Sequence, residues 1–145
     1  MFRTMLAVTA IAVGITAVAA QSDPIAARRT HMKEVGAQTK TGSGMAKGEI
    51  PYDQTKALGI FAAYVKAATD LPTLFPETSK TGGDTAALPA IWANKADFDA
   101  KAAKFAADAK QAQTQVKDLD TFKATFSGVT KNCGGCHETY RAKKS

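Results

Sequence analysis

The sequence has 145 residues, is 45% hydrophobic and has a formal net charge of +6, a composition that suits one folded domain with a single core. Its basic residues are dispersed and no aromatic residues alternate with them, which argues against a nucleic-acid-binding surface. After residue 20 the chain is rich in Ala, Lys, Gln and Asp and poor in runs of Val, Ile and Thr, which favours helices over strands.

The first twenty residues predict a secretory signal peptide. Arg3 precedes an apolar run, and small residues close the segment at Ala17, Ala19 and Ala20. The strongly apolar stretch is shorter than the ~20 residues that a membrane-spanning helix needs, so a cleaved signal is favoured over a membrane anchor. Residues 21–145 are then the mature domain, exported and not inserted in a membrane, with a net charge of +5 once Arg3 is removed.

Two helices are predicted in the first half of this domain. Asp23-Pro24 is a helix start, because the Asp side chain caps free backbone amides and Pro suits the first turn. This helix is expected to end near Thr41, before the cluster Gly42-Ser43-Gly44. A second helix is expected from Asp53 until Pro72, with an apolar face made by Leu58, Phe61, Ala62, Val65 and Ala68.

Two further helices follow a connection, residues 71–89, that is rich in Pro and Gly. They are predicted from about Asn94 to Lys117 and from Leu119 to about Lys143. Apolar residues recur in both at steps of three and four, namely Phe98, Ala102, Phe105, Ala109, Ala112 and Val116, then Leu119, Phe122, Phe126, Val129, Cys133, Cys136 and Tyr140. Such spacing gives each helix a continuous apolar seam, so we predict an all-α, antiparallel up-down four-helix bundle.

Both cysteines of the chain lie in the run Cys133-Gly-Gly-Cys136-His137, on the seam of the last helix. A disulfide between helical residues three apart is geometrically poor, a thioredoxin-like pair needs a strand–loop–helix setting, and a zinc site would find only His31 as its fourth ligand. In C-x-x-C-H, the thiols instead form thioether bonds to the two haem vinyl groups, and the histidine binds the iron. We therefore expect one covalent haem c on Cys133 and Cys136, with His137 as the proximal ligand.

A four-helix bundle with CGGCHETYR at its C-terminal end resembles the class II c-type cytochromes, the cytochrome c′ family. The segments KGEIPYD, DLPTLFP and PAIWANKADFDA are also similar in style, and the resemblance covers essentially all of residues 21–145. It implies a periplasmic haem protein of bacteria, often a homodimer through its first two helices. It also implies that Arg141 lies near the proximal face of the haem, with a solvated charge at a helix end as the alternative.

The resemblance leaves the second axial position of the iron open. In the low-spin branch of the family, a methionine of the first helix binds the iron. In cytochrome c′ proper an apolar side chain blocks that face, and the five-coordinate iron binds small gases such as NO and CO. Met32 shares a stripe with Ile25, Val35 and Thr39, and its M-K-x-x-G run resembles the low-spin members. We predict Met32 as the distal ligand, with gas binding as the alternative function.

Four other residues close to Met32 in the sequence are candidates for contact with the haem. Met45 is expected in a glycine-rich loop and His31 on the polar face of the helix, so neither is favoured as a ligand. Ile25 is the candidate for an apolar cap on five-coordinate iron. Arg29 could reach a haem propionate.

The predicted function is electron transfer to or from a periplasmic redox protein, not enzyme catalysis. No substrate pocket with paired acid–base groups is apparent in the sequence. The carboxylates Asp97, Asp99 and Asp108 fall between the seam positions of their helix and are expected on a solvated face.

Overall fold

The computed structural model describes residues 23–143, so the predicted signal peptide lies outside the described residues. The described chain is helical throughout, apart from its connections and one isolated β-bridge. The helices are α1 (Pro24–Lys47), α2 (Gln54–Asp70), the single turn α3 (Ala90–Ala93), α4 (Lys95–Gln115) and α5 (Leu119–Tyr140). The four long helices form the predicted bundle, and α2, α4 and α5 begin and end within a few residues of their predicted bounds.

The predicted end of α1 was wrong. The helix continues through Gly42 and Gly44 and ends at Lys47, where Gly48 caps it with a φ of +79°. The two glycines mark close contacts, because a Cβ on Gly42 would lie 2.7 Å from Cζ of Phe126 and one on Gly44 would lie 2.7 Å from Cδ1 of Ile50. They allow α5 and the loop after α1 to approach the helix. Met45 is consequently in the helix and completely buried, not in a loop.

The predicted apolar face of α2 was also partly wrong. Phe61 and Ala68 are buried as expected, but Ala62 is exposed, and Leu58 and Val65 are only half-buried. The helix is rotated so that its buried residues are Ala57, Ile60, Phe61, Tyr64, Ala67 and Ala68. Tyr64 can be buried because its hydroxyl lies 2.7 Å from Oγ1 of Thr39 on α1, which satisfies the one polar group of the side chain.

The seams predicted for α4 and α5 form about half of the interior, and α2 supplies most of the rest. Buried residues fall into two clusters, a larger one at the centre of the bundle and a smaller one made by Phe75, Ile91, Phe98 and Tyr140. The smaller cluster joins α4 and α5 to the long connection between α2 and α4. No helix within residues 23–143 has the length and apolar character needed to span a membrane.

Two local features fix the ends of α5, which carries both cysteines. At its start, the Asp118 side chain accepts a hydrogen bond from the Thr121 amide at 2.8 Å, and the Thr121 hydroxyl accepts one from the Asp118 amide. The two bonds form a capping box. At its end, the backbone pairs with the connection: the Leu88 amide donates to the Tyr140 carbonyl at 3.0 Å, and the Ala142 amide donates to the Ala86 carbonyl at 2.8 Å. The C-terminal turn of α5 is therefore held against residues 86–88.

Replacing Gly42 with Ala is expected to destabilise the bundle. The added methyl group would collide with the Phe126 ring, which is itself stacked on Phe122 at 5.2 Å and has little room to move. Overpacking of this kind costs about 1–3 kcal/mol and outweighs the gain of about 0.5–1 kcal/mol in helix propensity. Gly128→Ala is the matched control, because a Cβ there meets nothing within 4 Å, and it should raise stability. Chemical denaturation of both variants measures the difference; equal effects would contradict the close packing at Gly42.

Candidate functional site

One cavity of about 480 Å³ lies between the two buried clusters, within the size range of cofactor pockets. Five parts of the chain line it: α1 from Arg28 to Thr39, the connection, α3, α4 and the last turns of α5. Every predicted site residue contributes to its lining, namely Met32, Cys133, Cys136, His137 and Arg141. Residues that are more than one hundred positions apart in the sequence therefore meet at one site.

The α5 wall holds Cys133, Cys136 and His137, which share one helix face because they are three and four residues apart. Both cysteines are free and half-buried, and burial raises the pKa of each thiol. Burial lowers the pKa of His137, and the nearby positive charge of Arg141 lowers it further. The imidazole is therefore neutral at pH 7 and keeps a lone pair for a metal ion.

The α1 wall consists of Met32, Val35, Gly36 and Thr39, together with two arginines before them. Met32 packs against the larger buried cluster and places a thioether, an uncharged and soft donor, at the same cavity as the imidazole. The hydroxyl of Thr39 donates to the Val35 carbonyl at 2.7 Å, so the Tyr64 hydroxyl is the donor to Thr39. Burial raises the pKa of Tyr64 to about 12, which keeps that donor protonated.

Arg28 is a cavity residue that the sequence reasoning missed. Only 4% of it is exposed, and burial lowers its pKa. Its guanidinium donates to Thr85 Oγ1 at 2.7 Å, to Ser79 Oγ at 3.0 Å, and to the Ser79 and Leu74 carbonyls at 3.2 Å, and it lies 4.6 Å from the centre of the Phe75 ring. A single side chain of α1 thus holds the connection in place along the cavity.

His31 and Met45, which the sequence does not favour as iron ligands, lie outside the cavity lining. His31 does not line the cavity; its Nε2 is 3.4 Å from Oδ2 of Asp70 at the end of α2, so it is not the surface histidine that was expected. With His31 absent from the site, the four-ligand zinc arrangement does not form. Met45 is buried within the larger cluster, away from the cavity lining.

The two other α1 candidates also have different surroundings. Ile25 does not line the cavity and packs under the connection, where its Cδ1 would lie 3.1 Å from a Cβ on Gly83. Arg29 does line the cavity, but its exposed guanidinium pairs with Asp84 at 2.7 Å. Met32, Met45, His31 and Ile25 are the α1 candidates for the distal side of the iron. Among them, only Met32 lines the cavity.

The carboxylates of α4 are paired with neighbouring groups. Lys104 and Asn132 donate to Asp108 at 2.5 and 2.8 Å, and together they lower its pKa. Tyr140 donates to Asp97 at 2.5 Å, a contact that raises the pKa of the tyrosine to about 12. Among residues 23–143, no group of three or more His, Cys, Asp or Glu side chains is arranged to hold a metal ion.

The donor set fits a covalently attached haem. Two free thiols three residues apart can form its thioether bonds, the adjacent imidazole can bind its iron, and most of the remaining lining is apolar, as a porphyrin ring requires.

Comparison with known proteins agrees with this chemistry. The profile of the family described as "Cytochrome C'" matches residues 23–141. A cytochrome c′ from Rhodopseudomonas palustris (strain ATCC BAA-98 / CGA009) is 49% identical over 126 residues, which are 87% of this chain and 86% of the relative. A cytochrome c-556 of the same strain is 36% identical over 148 residues, 99% of each chain. The solved structure of cytochrome c′ from R. palustris has a TM-score of 0.83 at 49% identity and covers 86% of this chain and 100% of that chain.

The two adjacent arginines are expected to differ sharply in their effect on stability. Arg28→Met should destabilise the haem-loaded protein by about 2 kcal/mol or more, because hydrogen bonds to a charged group contribute about 1.5–3 kcal/mol each and Ser79 would stay buried without its guanidinium partner. Arg29→Met, the control, removes an exposed ion pair and should cost no more than about 1 kcal/mol. Thermal and urea unfolding followed by circular dichroism measure both, and equal losses would show that Arg28 does not hold the connection.

Proposed function

The chain belongs to the cytochrome c′ family of class II c-type cytochromes, and from this premise we propose that it is a periplasmic electron carrier whose haem iron is bound by His137 and Met32. Proteins of this family bind haem c covalently, and Cys133 and Cys136 stand at its attachment motif. When bound, the haem supplies a one-electron couple between ferrous and ferric iron.

One observation carries the assignment of Met32. Its side chain lines the same cavity as Cys133, Cys136 and His137, whereas Met45 and His31 do not. The thioether is uncharged at every pH, and His137 is neutral at pH 7, so both ligands are available without the loss of a proton. Histidine–methionine ligation raises the reduction potential of a haem, as suits an electron carrier.

The walls of the cavity favour electron transfer because they are held in place on two sides. Arg28 ties α1 to the connection, and the hydrogen bonds from Tyr64 to Thr39 and from Thr39 to Val35 tie it to α2. A ligand on a fixed wall moves little when the charge of the iron changes. Little rearrangement then opposes each electron transfer. Arg141, which also lines the cavity, is proposed to lie beside the haem.

The second candidate is five-coordinate iron that binds gases such as NO or CO. It is favoured by the identity to a cytochrome c′, which at 49% is higher than the 36% identity to a cytochrome c-556. In that case Met32 would be a wall residue that leaves the iron open on one side.

Replacing Met32 with Ala tests the two candidates. The wild-type protein is expected to show a low-spin spectrum with a weak thioether-to-iron charge-transfer band, and the variant a high-spin spectrum that changes readily with carbon monoxide. Met45→Leu is the control, because Met45 is a buried methionine of the same helix that does not line the cavity. A wild-type spectrum that is already high-spin, or one that Met32→Ala leaves unchanged, would remove Met32 as a ligand.

Export and dimer formation are part of the proposal. Residues 1–20 are proposed to be a cleaved signal, and we expect the mature protein, with its haem, in the periplasm of a host that matures c-type cytochromes. Intact mass analysis should give residues 21–145 plus one haem, and a Cys133→Ser/Cys136→Ser variant should give no added mass. A homodimer through α1 and α2 is proposed as well, on sides of these helices that leave Lys33, Gly36 and Lys40 uncovered, and sedimentation of the same material measures it.

A further inference from the structure

Basic residues form a stripe along the exposed side of α1. Arg29, Lys33, Lys40 and Lys47 are exposed, and their spacing places them within about 40° of one another around the helix axis. The one acidic residue of α1, Glu34, is about 100° away from Lys33. We call these four basic residues the cationic stripe.

The cavity reaches the surface within this stripe. Gly36 lies between Lys33 and Lys40 on the same side of the helix, it is exposed, and it lines the cavity. A Cβ on Gly36 would meet nothing within 4 Å, so no side chain packs against α1 at this point. Arg29 also lines the cavity, which continues the opening one turn further along the stripe.

The two lysines beside this opening have no acidic side chain of the described residues as a partner. Within residues 23–143, neither Lys33 nor Lys40 takes part in an ion pair, whereas Arg29 pairs with Asp84 at 2.7 Å and Lys47 lies 4.0 Å from Glu49. An uncompensated charge acts over about 8–10 Å at physiological ionic strength. Any molecule that approaches the cavity at Gly36 therefore meets a positive field.

We propose that the opening at Gly36, with the lysines on either side, is where the protein docks its redox partner, and that the partner presents an acidic surface. This inference rests on the proposed function, for which it names the class of partner. Opposite charges steer the encounter and orient it, and the absence of a side chain at Gly36 lets the partner come close to the cavity. With haem bound at this site, one electron would pass between the haem and the partner, and no bond would form or break.

Lys33→Glu/Lys40→Glu is the first test, with hexacyanoferrate(III) as an anionic probe. The ferrous protein gives one electron to the probe, which yields ferric protein and hexacyanoferrate(II), and stopped-flow absorbance follows the rate. We expect a rate about tenfold lower at low ionic strength, with the difference almost gone near 1 M salt, where the screening length is ~3 Å. Lys110→Glu/Lys123→Glu is the control: it changes the net charge equally, at exposed lysines that do not line the cavity. An equal loss of rate in both pairs would overturn the proposal.

A cationic oxidant, tris(phenanthroline)cobalt(III), should show the opposite response and react faster with the Lys33→Glu/Lys40→Glu variant. The Gly36→Leu variant tests the opening itself, because a side chain there should slow both oxidants alike without a change in salt dependence. Gly59→Leu is its control, since Gly59 is an exposed glycine of α2 with nothing within 4 Å of a Cβ. Unchanged rates in Gly36→Leu would overturn the opening as the route of electron exchange.

A membrane surface is the competing occupant. Binding to phosphatidylglycerol vesicles that depends on Lys33 and Lys40, with oxidation rates that do not, would assign the stripe to lipid and overturn the proposal.

Failure of the proposed ligation has a different signature, because it is read from the absorption spectrum. A high-spin protein with lysine-dependent rates would keep the docking surface and reject Met32 as a ligand, and a low-spin protein with lysine-independent rates would do the reverse.

Discussion

The distance between α1 and α5 is the constraint on which the rest of the structure depends. Toward the C-terminal end of α1, the two helices come into close contact because Gly42 has no side chain and accommodates the Phe126 ring. Toward its N-terminal end, Met32 and Gly36 face the same cavity as Cys133 and His137, and the helices are separated there. A bundle of close-packed helices has no reason to leave such a cavity unless a group fills it. A haem bonded to Cys133 and Cys136 provides that group.

Arg28 is buried at the wall of the same cavity. A charged side chain is costly to bury, and here the cost is offset by hydrogen bonds to neutral groups of Ser79, Thr85 and Leu74 and by contact with the Phe75 ring. The long connection lacks regular structure over most of its length, so it needs such an anchor to form a cavity wall. Its pairing with the backbone after Tyr140 provides a second anchor, next to the haem attachment motif.

Most of the site could be predicted from the sequence because its chemistry is local. Cys133, Cys136 and His137 form a continuous motif on one helix, and the apolar stripe of α1 already directed Met32 inward. The errors came from residues whose role depends on a distant partner. In the sequence, Gly42 is typical of a helix end, and only its close contact with the Phe126 ring shows why a glycine lies within α1. The burial of Arg28 could not be predicted, because its hydrogen-bond partners lie about fifty positions away in the sequence. On α2, the sequence did not indicate that Tyr64 is buried, because the partner of its hydroxyl, Thr39, lies on another helix.

The similarity to a cytochrome c′ and to a cytochrome c-556 supports the fold more strongly than it supports either coordination of the iron. Identity over a whole chain averages over every aligned residue, and most residues of this chain do not line the cavity. The coordination number depends on one side chain at the cavity wall. A difference between 49% and 36% identity therefore carries less weight for this choice than the presence of a thioether at Met32. A thioether is a soft, neutral donor of the kind that binds haem iron, and for this reason the proposed ligation depends on Met32 and not on overall identity.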